Sequence, residues 1–449
     1  MVMHKSESRQ WLIWILAITL VSRLLVLIFF SDTLSFRASG YDAYATHVLQ
    51  QSVYTQHSDG VPDSDLPPLY PLLLAGLYSL FGHKVIPVSV FQIALDLLTA
   101  LLMYLIGKRV ADAKVGLLAA MFYGIYPYLL YQNVSVNDTA VFIFLLTVSI
   151  FLTYKTRDSL HPAYAAAVGA TVGLAALTKP FIMLLLPFSG FWWIKEIGFR
   201  NGIKFTLLSS LILLTVLAPW VTRNLLLHKQ WVFISTNGGS NLHQGNNSCV
   251  VDYLRHGWDA QWVNCLKKLP DGLNEVEADQ WHRQQAIAYL LNHPAQWPRL
   301  FGMKFLVLWN PAITPSAVPP GAQLADNTVL QYQSGVFQFA RVVHIFYFTP
   351  LLILGVGGLI LASRRKLCIG PPVILILLTT AVYVLFHPST RYRSPLDPFV
   401  FIFSAYAVTQ LKSLRIRQPN SLLEYSPEKN RNAKQISFPE TARFEDQTP

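Results

Sequence analysis

The feature that most constrains this chain is a series of long apolar runs, the first of them "WLIWILAITLVSRLLVLIFF" at Trp11 to Phe30. About 20 apolar residues suffice to cross a bilayer, and there each backbone polar group must find its partner inside the segment. A single run can meet that demand only as a helix. Composition agrees: 53% of the 449 residues are hydrophobic and 13% are charged, too little polar surface to coat a soluble globule of this length. The spans read as 11–30, 84–107, 113–131, 137–154, 161–178, 180–194, 203–221, 341–362, 369–387 and 396–411, about ten crossings of an all-α polytopic membrane protein. The basic start suggests a signal peptide, but the first run is longer than an h-region and lacks an A-x-A-like exit, so it reads as an uncleaved span.

One short apolar segment, Leu69 to Gly82, sets the orientation. Counted as a crossing, it would put "GKRVADAK", "YKTRD", "KEIGFRNGIK" and "SRRK" outside, against the positive-inside rule. Read as a juxtamembrane helix or re-entrant piece, it leaves all of them inside. The expected organisation is then an N-terminal transmembrane module (1–221) with a first external loop (31–83), an extracytoplasmic helical segment (222–340), C-terminal transmembrane helices (341–411) and a cytoplasmic polar tail (412–449). Within the external segment, helical periodicity runs through Trp281, Ala286 and Leu290, breaks at "HP" and resumes through Trp297, Phe301 and Phe305. A Cys249–Cys265 disulfide requires that this segment be extracytoplasmic. The net charge of +11 sits in short clusters between apolar runs, which excludes nucleic acid as a partner and leaves the bilayer.

Residues able to carry chemistry fall on the external side. Asp42, in "SGYDAYATHVLQ", is either a helix-start or loop charge or a carboxylate poised as general base or metal ligand. Asp138, at the start of the fourth span, either favours the helix dipole or shares a site with Asp42; together the two would hold a divalent cation or divide acid and base roles. Lys179 lies between two apolar runs in "ALTKP", where a lysine is costly unless it snorkels or serves an anion. Arg391 and Arg393, in "HPSTRYRSPLDP", are external cations whose guanidinium forks suit phosphate. "STNGGSNLHQGNNS", Ser235 to Ser248, reads as a turn-rich loop, with its amides as the other option for sugar hydroxyls. Arg23 and Asp96 lie inside spans, as a packing pair or as the lining of a cavity.

"GYDAYATHVLQ", "PPLYPLLLAGLYSLFG", "ALTKP", "APWVTRN", "ISTNGGSNLHQGNN", "AIAYLLNHPAQWPRLFGMKFLVLW" and "HPSTRYRSPLDPF" occur in an order that resembles the GT-C membrane glycosyltransferases, in particular the dolichyl-phosphate-mannose protein mannosyltransferase-like group and the lipid A aminoarabinose transferases. The resemblance implies a GT-C architecture and inverting transfer of a sugar from a polyprenyl-phosphate donor on the extracytoplasmic face, in a bacterial inner membrane. It implies Asp42 and Asp138 as catalytic carboxylates and Lys179, Arg391 and Arg393 as holders of the carrier phosphate. Tyr41, Tyr70, Asn237, Asn241 and Asn246 would line the sugar or acceptor path. Asp42 stands alone where protein mannosyltransferases carry an acidic pair, and a short tail stands where the lipid A enzymes carry a large soluble domain, so the acceptor is a lipid, a glycan or a protein. The resemblance leaves metal dependence open, with a divalent cation as the one candidate cofactor. The competing reading is a transporter or flippase of a lipid-linked saccharide, which predicts internal repeats that the sequence lacks.

Overall fold

The apolar runs fold as helices, and Pro, Gly and polar residues between them set where each one ends. The computed structural model describes residues 5–30, 40–260, 266–317, 319 and 334–416. Helix α1 (Lys5–Phe29) precedes two short helices, α2 (Tyr41–Gln51) and α3 (Leu69–Phe81). A bundle follows: α4 (Val85–Val110), α5 (Ala113–Gly124), α6 (Pro127–Gln132), α7 (Thr139–Ser159), α8 (Pro162–Ala176), α9 (Leu185–Ile197) and α10 (Phe199–His228). The polar segment holds α11 (Gly238–Gly245), α12 (Val250–Arg255), α13 (Glu275–Asn292) and α14 (Trp297–Leu308). Helices α15 (Gly335–Arg364), α16 (Gly370–Leu385), α17 (Thr390–Arg393) and α18 (Asp397–Ile416) complete the described chain. One compact unit extends to Thr409 and a second begins at Gln410; most of the expected tail, from residue 417 onward, lies outside the described residues.

Among the described residues, six segments are long and apolar enough to cross a membrane: Ser6–Phe29, Val85–Val110, Thr139–Ser159, Pro180–Ile197, Phe199–His228 and Gly335–Arg364. The expected spans 161–178 and 369–387 fall on shorter apolar helices, α8 and α16. The span expected at 113–131 is divided into α5 and α6, because Pro127 has no N–H to continue a helix and opens the next one instead. Large apolar side chains point outward along the candidate spans: Trp14 is 65% exposed, Leu207 64% and Phe346 77%. Such a surface is a liability in water and matches hydrocarbon, so the chain is an integral membrane protein.

Two buried polar contacts hold the bundle and the polar segment. Arg23 of α1 and Asp96 of α4 pair with each other at zero exposure. Asp96 also accepts from the Tyr123 hydroxyl and from Asn133 Nδ2, while Arg23 Nη1 donates to Gly124 O at 2.6 Å. These residues are thus a packing pair that ties α1 to α4 and α5. The second contact is Lys304 of α14, whose Nζ donates to Asn246 Oδ1 at 2.9 Å and to Leu385 O at 3.0 Å. It fixes the polar segment to the end of α16.

The polar segment follows its periodicity. Helix α13 starts at a capping box of Asn274 and Glu277, stops before His293–Pro294, and α14 resumes at Trp297. The stretch expected as a turn-rich loop is instead partly helical, as α11. Isolated, eight residues rich in Gly and Asn would not stay helical; here α11 packs on α13, and Gly239 comes so close that a Cβ would sit 1.9 Å from Asp279 O. Asp279 accepts from the Gly239 N–H in return. Cys249 is disulfide-bonded and Cys368 is free. The expected partner, Cys265, lies outside the described residues.

Two outcomes follow from these contacts. Removing one member of a buried ion pair costs about 3–5 kcal/mol, whereas replacing both by apolar residues is far milder. Asp96→Leu is therefore expected to lower the melting temperature in detergent sharply and Arg23→Met/Asp96→Leu to lower it less; equal losses would contradict the pairing. Burial pushes the Lys304 ammonium down to about 7 from its ordinary 10.5. Between those values the unfolded chain binds the extra proton, so stability rises with pH across that window. Denaturation of wild type should show the rise and Lys304→Met should lack it.

Candidate active site

Three segments distant in sequence converge on Asp138. Asp138 stands at the N-cap position of α7 but makes no side-chain bond to its own helix, so its carboxylate is not spent on capping. One oxygen accepts from Lys179 Nζ at 2.7 Å and the other from Arg391 Nη2 at 3.3 Å. The Asp138 side chain is 1% exposed, that of Lys179 13% and that of Arg391 33%. The turn after α8 delivers the lysine: its residues reach only to the "TKP" break, where Lys179 is extended (φ −142°) because Pro180 disfavours helix in the residue before it. Burial alone would push the Asp138 carboxyl up, but Lys179 and Arg391 outweigh it and hold the group below its usual range. The lysine is pushed down by burial and by Arg391, partly offset by Asp138.

Aromatic residues wall this cluster. Lys179 Nζ lies 5.4 Å from the Phe142 ring centre and 5.9 Å from that of Tyr392. Tyr383 stacks on Tyr392 at 4.7 Å. Burial first, and then the facing Asp138 carboxylate, push the Tyr41 phenol well above its ordinary value. Tyr70 meets Tyr41 edge-on at 5.1 Å and donates its hydroxyl to Gln92 at 2.6 Å.

Asp42 follows Tyr41 in the first turn of α2, and successive side chains on a helix point about 100° apart. Tyr41 faces Asp138 while Asp42 turns to other partners: its Oδ1 accepts from the Tyr78 hydroxyl at 2.9 Å and meets His83 Nε2 at 2.7 Å. Asp42 is partly exposed, as is His83. The two expected carboxylates are therefore joined through α2 but hold separate partners. Tyr78 and His83 did not stand out in the sequence, although a histidine directly after a short apolar helix, in "FGHK", is a signal of the same kind as Asp42.

Arg393 does not join Lys179 and Arg391. Two residues along a four-residue helix turn it to the far side, where at zero exposure it pairs with Asp397 (Nε to Oδ1, 3.1 Å) and donates to Asn310 O at 2.6 Å. Asn246 is equally internal, donating to Leu385 O at 2.9 Å while accepting from Lys304. Asn237 caps α11 without a side-chain cap bond, its carbonyl accepting from Asn241 Nδ2 at 2.7 Å. The Asn241 carbonyl in turn faces His387 Nδ1 at 3.4 Å, and His387 Nε2 faces the Tyr392 hydroxyl at 3.4 Å. The Gly/Asn-rich stretch thus abuts the segment that carries Arg391.

Asp42 and Asp138 were the expected ligands of any divalent cation. No group of three or more His, Cys, Asp or Glu side chains suited to a metal ion occurs among the described residues. Both Asp138 oxygens already face cationic nitrogens, so the donor set there fits an anionic ligand of Lys179 and Arg391 rather than a metal.

Residues 65–222 match the family model described as dolichyl-phosphate-mannose-protein mannosyltransferase. No curated protein matches the sequence. Among solved structures, the Archaeoglobus fulgidus oligosaccharyltransferase in its apo form is similar at a TM-score of 0.53 and 12% identity, over 90% of this chain and 51% of that one. AglB of the same organism, in complex with an inhibitory peptide and a dolichol-phosphate, gives 0.52 at 13% identity over 95% and 53%. ArnT from Cupriavidus metallidurans bound to undecaprenyl phosphate gives 0.44 at 14% identity over 90% and 79%. The chain spans about half the length of the oligosaccharyltransferases that it matches. With the bundle, the polar helical segment and the family match taken together, the chain has the fold of the GT-C membrane glycosyltransferases and carries its mannosyltransferase-family likeness in residues 65–222.

Proposed function

We propose that this protein transfers a sugar from a polyprenyl-phosphate carrier to a lipid, glycan or protein acceptor, with inversion, at the external face of a bacterial inner membrane. The observation that carries the reading is the charge imbalance at Asp138: one carboxylate meets Lys179 and Arg391, and the buried Nε of Arg391 has no acceptor. A buried cluster with surplus positive charge and a spare donor suits a phosphate monoester. The family match and the dolichol-phosphate complex of the similar oligosaccharyltransferase support a polyprenyl carrier. The disulfide at Cys249 supports an oxidising, extracytoplasmic setting for the polar segment.

In this reading the carrier phosphate accepts hydrogen bonds from Lys179 Nζ and Arg391. As the bond from the anomeric carbon to the phosphate oxygen breaks, its electron pair stays on the phosphate, where the two cations stabilise the growing charge. The acceptor hydroxyl attacks the opposite face of the anomeric carbon and loses its proton to Asp42. Asp42 suits the base role better than Asp138, which two cations hold ionised and weakly basic. His83, partly exposed and beside Asp42, gives the proton a way to solvent. Asp138 keeps Lys179 and Arg391 aimed, and Tyr41 and Tyr70 offer ring faces along the sugar path.

Removing a general base costs about 10²–10⁴-fold in rate. Asp42→Asn is therefore expected to cut transfer from a labelled polyprenyl-phosphate sugar by at least about 100-fold while leaving the Kd for the carrier unchanged. Lys179→Met should instead weaken carrier binding by roughly tenfold or more, as for a lost hydrogen bond to a charged group. Full transfer by Asp42→Asn would remove Asp42 from the chemistry, and unchanged carrier affinity in Lys179→Met would remove the phosphate from this cluster.

A further inference from the structure

A cavity of about 230 Å³ is walled by the end of α12, the stretch after α14, the start of α15 and Pro388, which lies in the segment that bears Arg391. Its floor is a close backbone approach. Gly257 takes a left-handed conformation (φ +71°), its carbonyl accepts from Ser316 N at 2.8 Å, and a Cβ there would meet Ser316 Oγ at 2.3 Å. Trp258 stands beside it with His256 stacked on its ring at 4.5 Å. Arg255 and Arg341 belong to the lining with one acidic residue, Asp259, and with the neutral polar residues Asn310, Thr314 and Ser316. Arg341 bonds Gln338 through Nη1, while its buried Nε finds no acceptor.

We infer that this cavity is a binding subsite for an anionic sugar unit, one that carries a phosphate or a carboxylate, and that it receives the acceptor. The stacked Trp258 and His256 rings give an apolar wall, amide and hydroxyl groups pair with sugar hydroxyls, and the guanidinium of Arg341 with its unpaired Nε matches an oxyanion. At this volume, below the roughly 300–1,000 Å³ of pockets for larger ligands, it takes one sugar unit rather than an oligosaccharide. It is also coupled to the carrier cluster: Thr390 N donates to Thr314 O and Thr314 N to Thr390 Oγ1, each at 2.8 Å, and Arg391 is the next residue. The role as acceptor subsite rests on the proposed transferase reading; the binding of an anionic sugar does not.

The test is calorimetric titration of the full-length protein in detergent with a hexose 1-phosphate, the free hexose and inorganic phosphate as separate probes. The hexose phosphate is expected to bind at least about tenfold more tightly than either fragment, and Arg341→Gln to weaken it by about tenfold. Arg255→Gln, at an exposed position where loss of the side chain leaves the fold intact, should weaken it in the same direction. Arg391→Gln removes binding of the same probe at the carrier cluster and should leave the component that depends on Arg255 and Arg341 intact. Absence of binding, or binding lost in Arg391→Gln and retained in both pocket variants, would overturn the inference. Displacement of the probe by an anionic glycolipid would assign the sugar to a lipid acceptor, and its absence to a soluble or protein-borne one; each supports the subsite. Pocket-dependent binding in a protein that transfers no sugar would leave this site standing and sink the transferase reading alone.

Discussion

The transferase reading depends on one buried electrostatic arrangement, the carboxylate of Asp138 held between Lys179 and Arg391. Charges removed from water are tolerated only when paired, and this set is paired unevenly. The fold contributes one member from each of three places: the start of α7, the reversal after α8 and the short α17. None of these positions lies in the middle of a long helix. The breaks in the apolar pattern are what allow polar groups to meet at one level of the bundle.

The architecture around the cluster serves to keep those breaks in register. Arg23 and Asp96 fasten α1 to the bundle at zero exposure. Arg393 and Asp397, with Tyr126, lock the segment that carries Arg391. Lys304 ties the polar segment to the end of α16. Each is a buried polar group held by specific partners, so each favours one arrangement of helices over near alternatives that would strand it.

Much of this was legible in the sequence, because apolar runs long enough to span a bilayer leave the backbone few choices. Helix breaks at "TKP" and at "NHP" were legible for the same reason, since proline acts locally. Lys179 and Asp138 announced themselves as ionisable groups beside apolar runs. What the sequence could not separate were Arg391 and Arg393, equivalent in composition and distinguished only by which way each faces on a four-residue helix. Nor could it foresee that "GGSNLHQG" would be helical, because that helix exists through its packing on α13 rather than through its own propensity. Lys304 escaped notice since its partners, Asn246 and Leu385, are 58 and 81 residues away.

The most direct measurement of the central claim is a structure of the protein bound to a polyprenyl phosphate in a lipid nanodisc. Phosphate oxygens are expected within hydrogen-bonding distance of Lys179 Nζ and the Nε of Arg391, with Asp138 still bracing both cations. A phosphate bound elsewhere, with the Asp138–Lys179–Arg391 contacts unchanged from those described, would contradict that claim and make the cluster a structural brace alone.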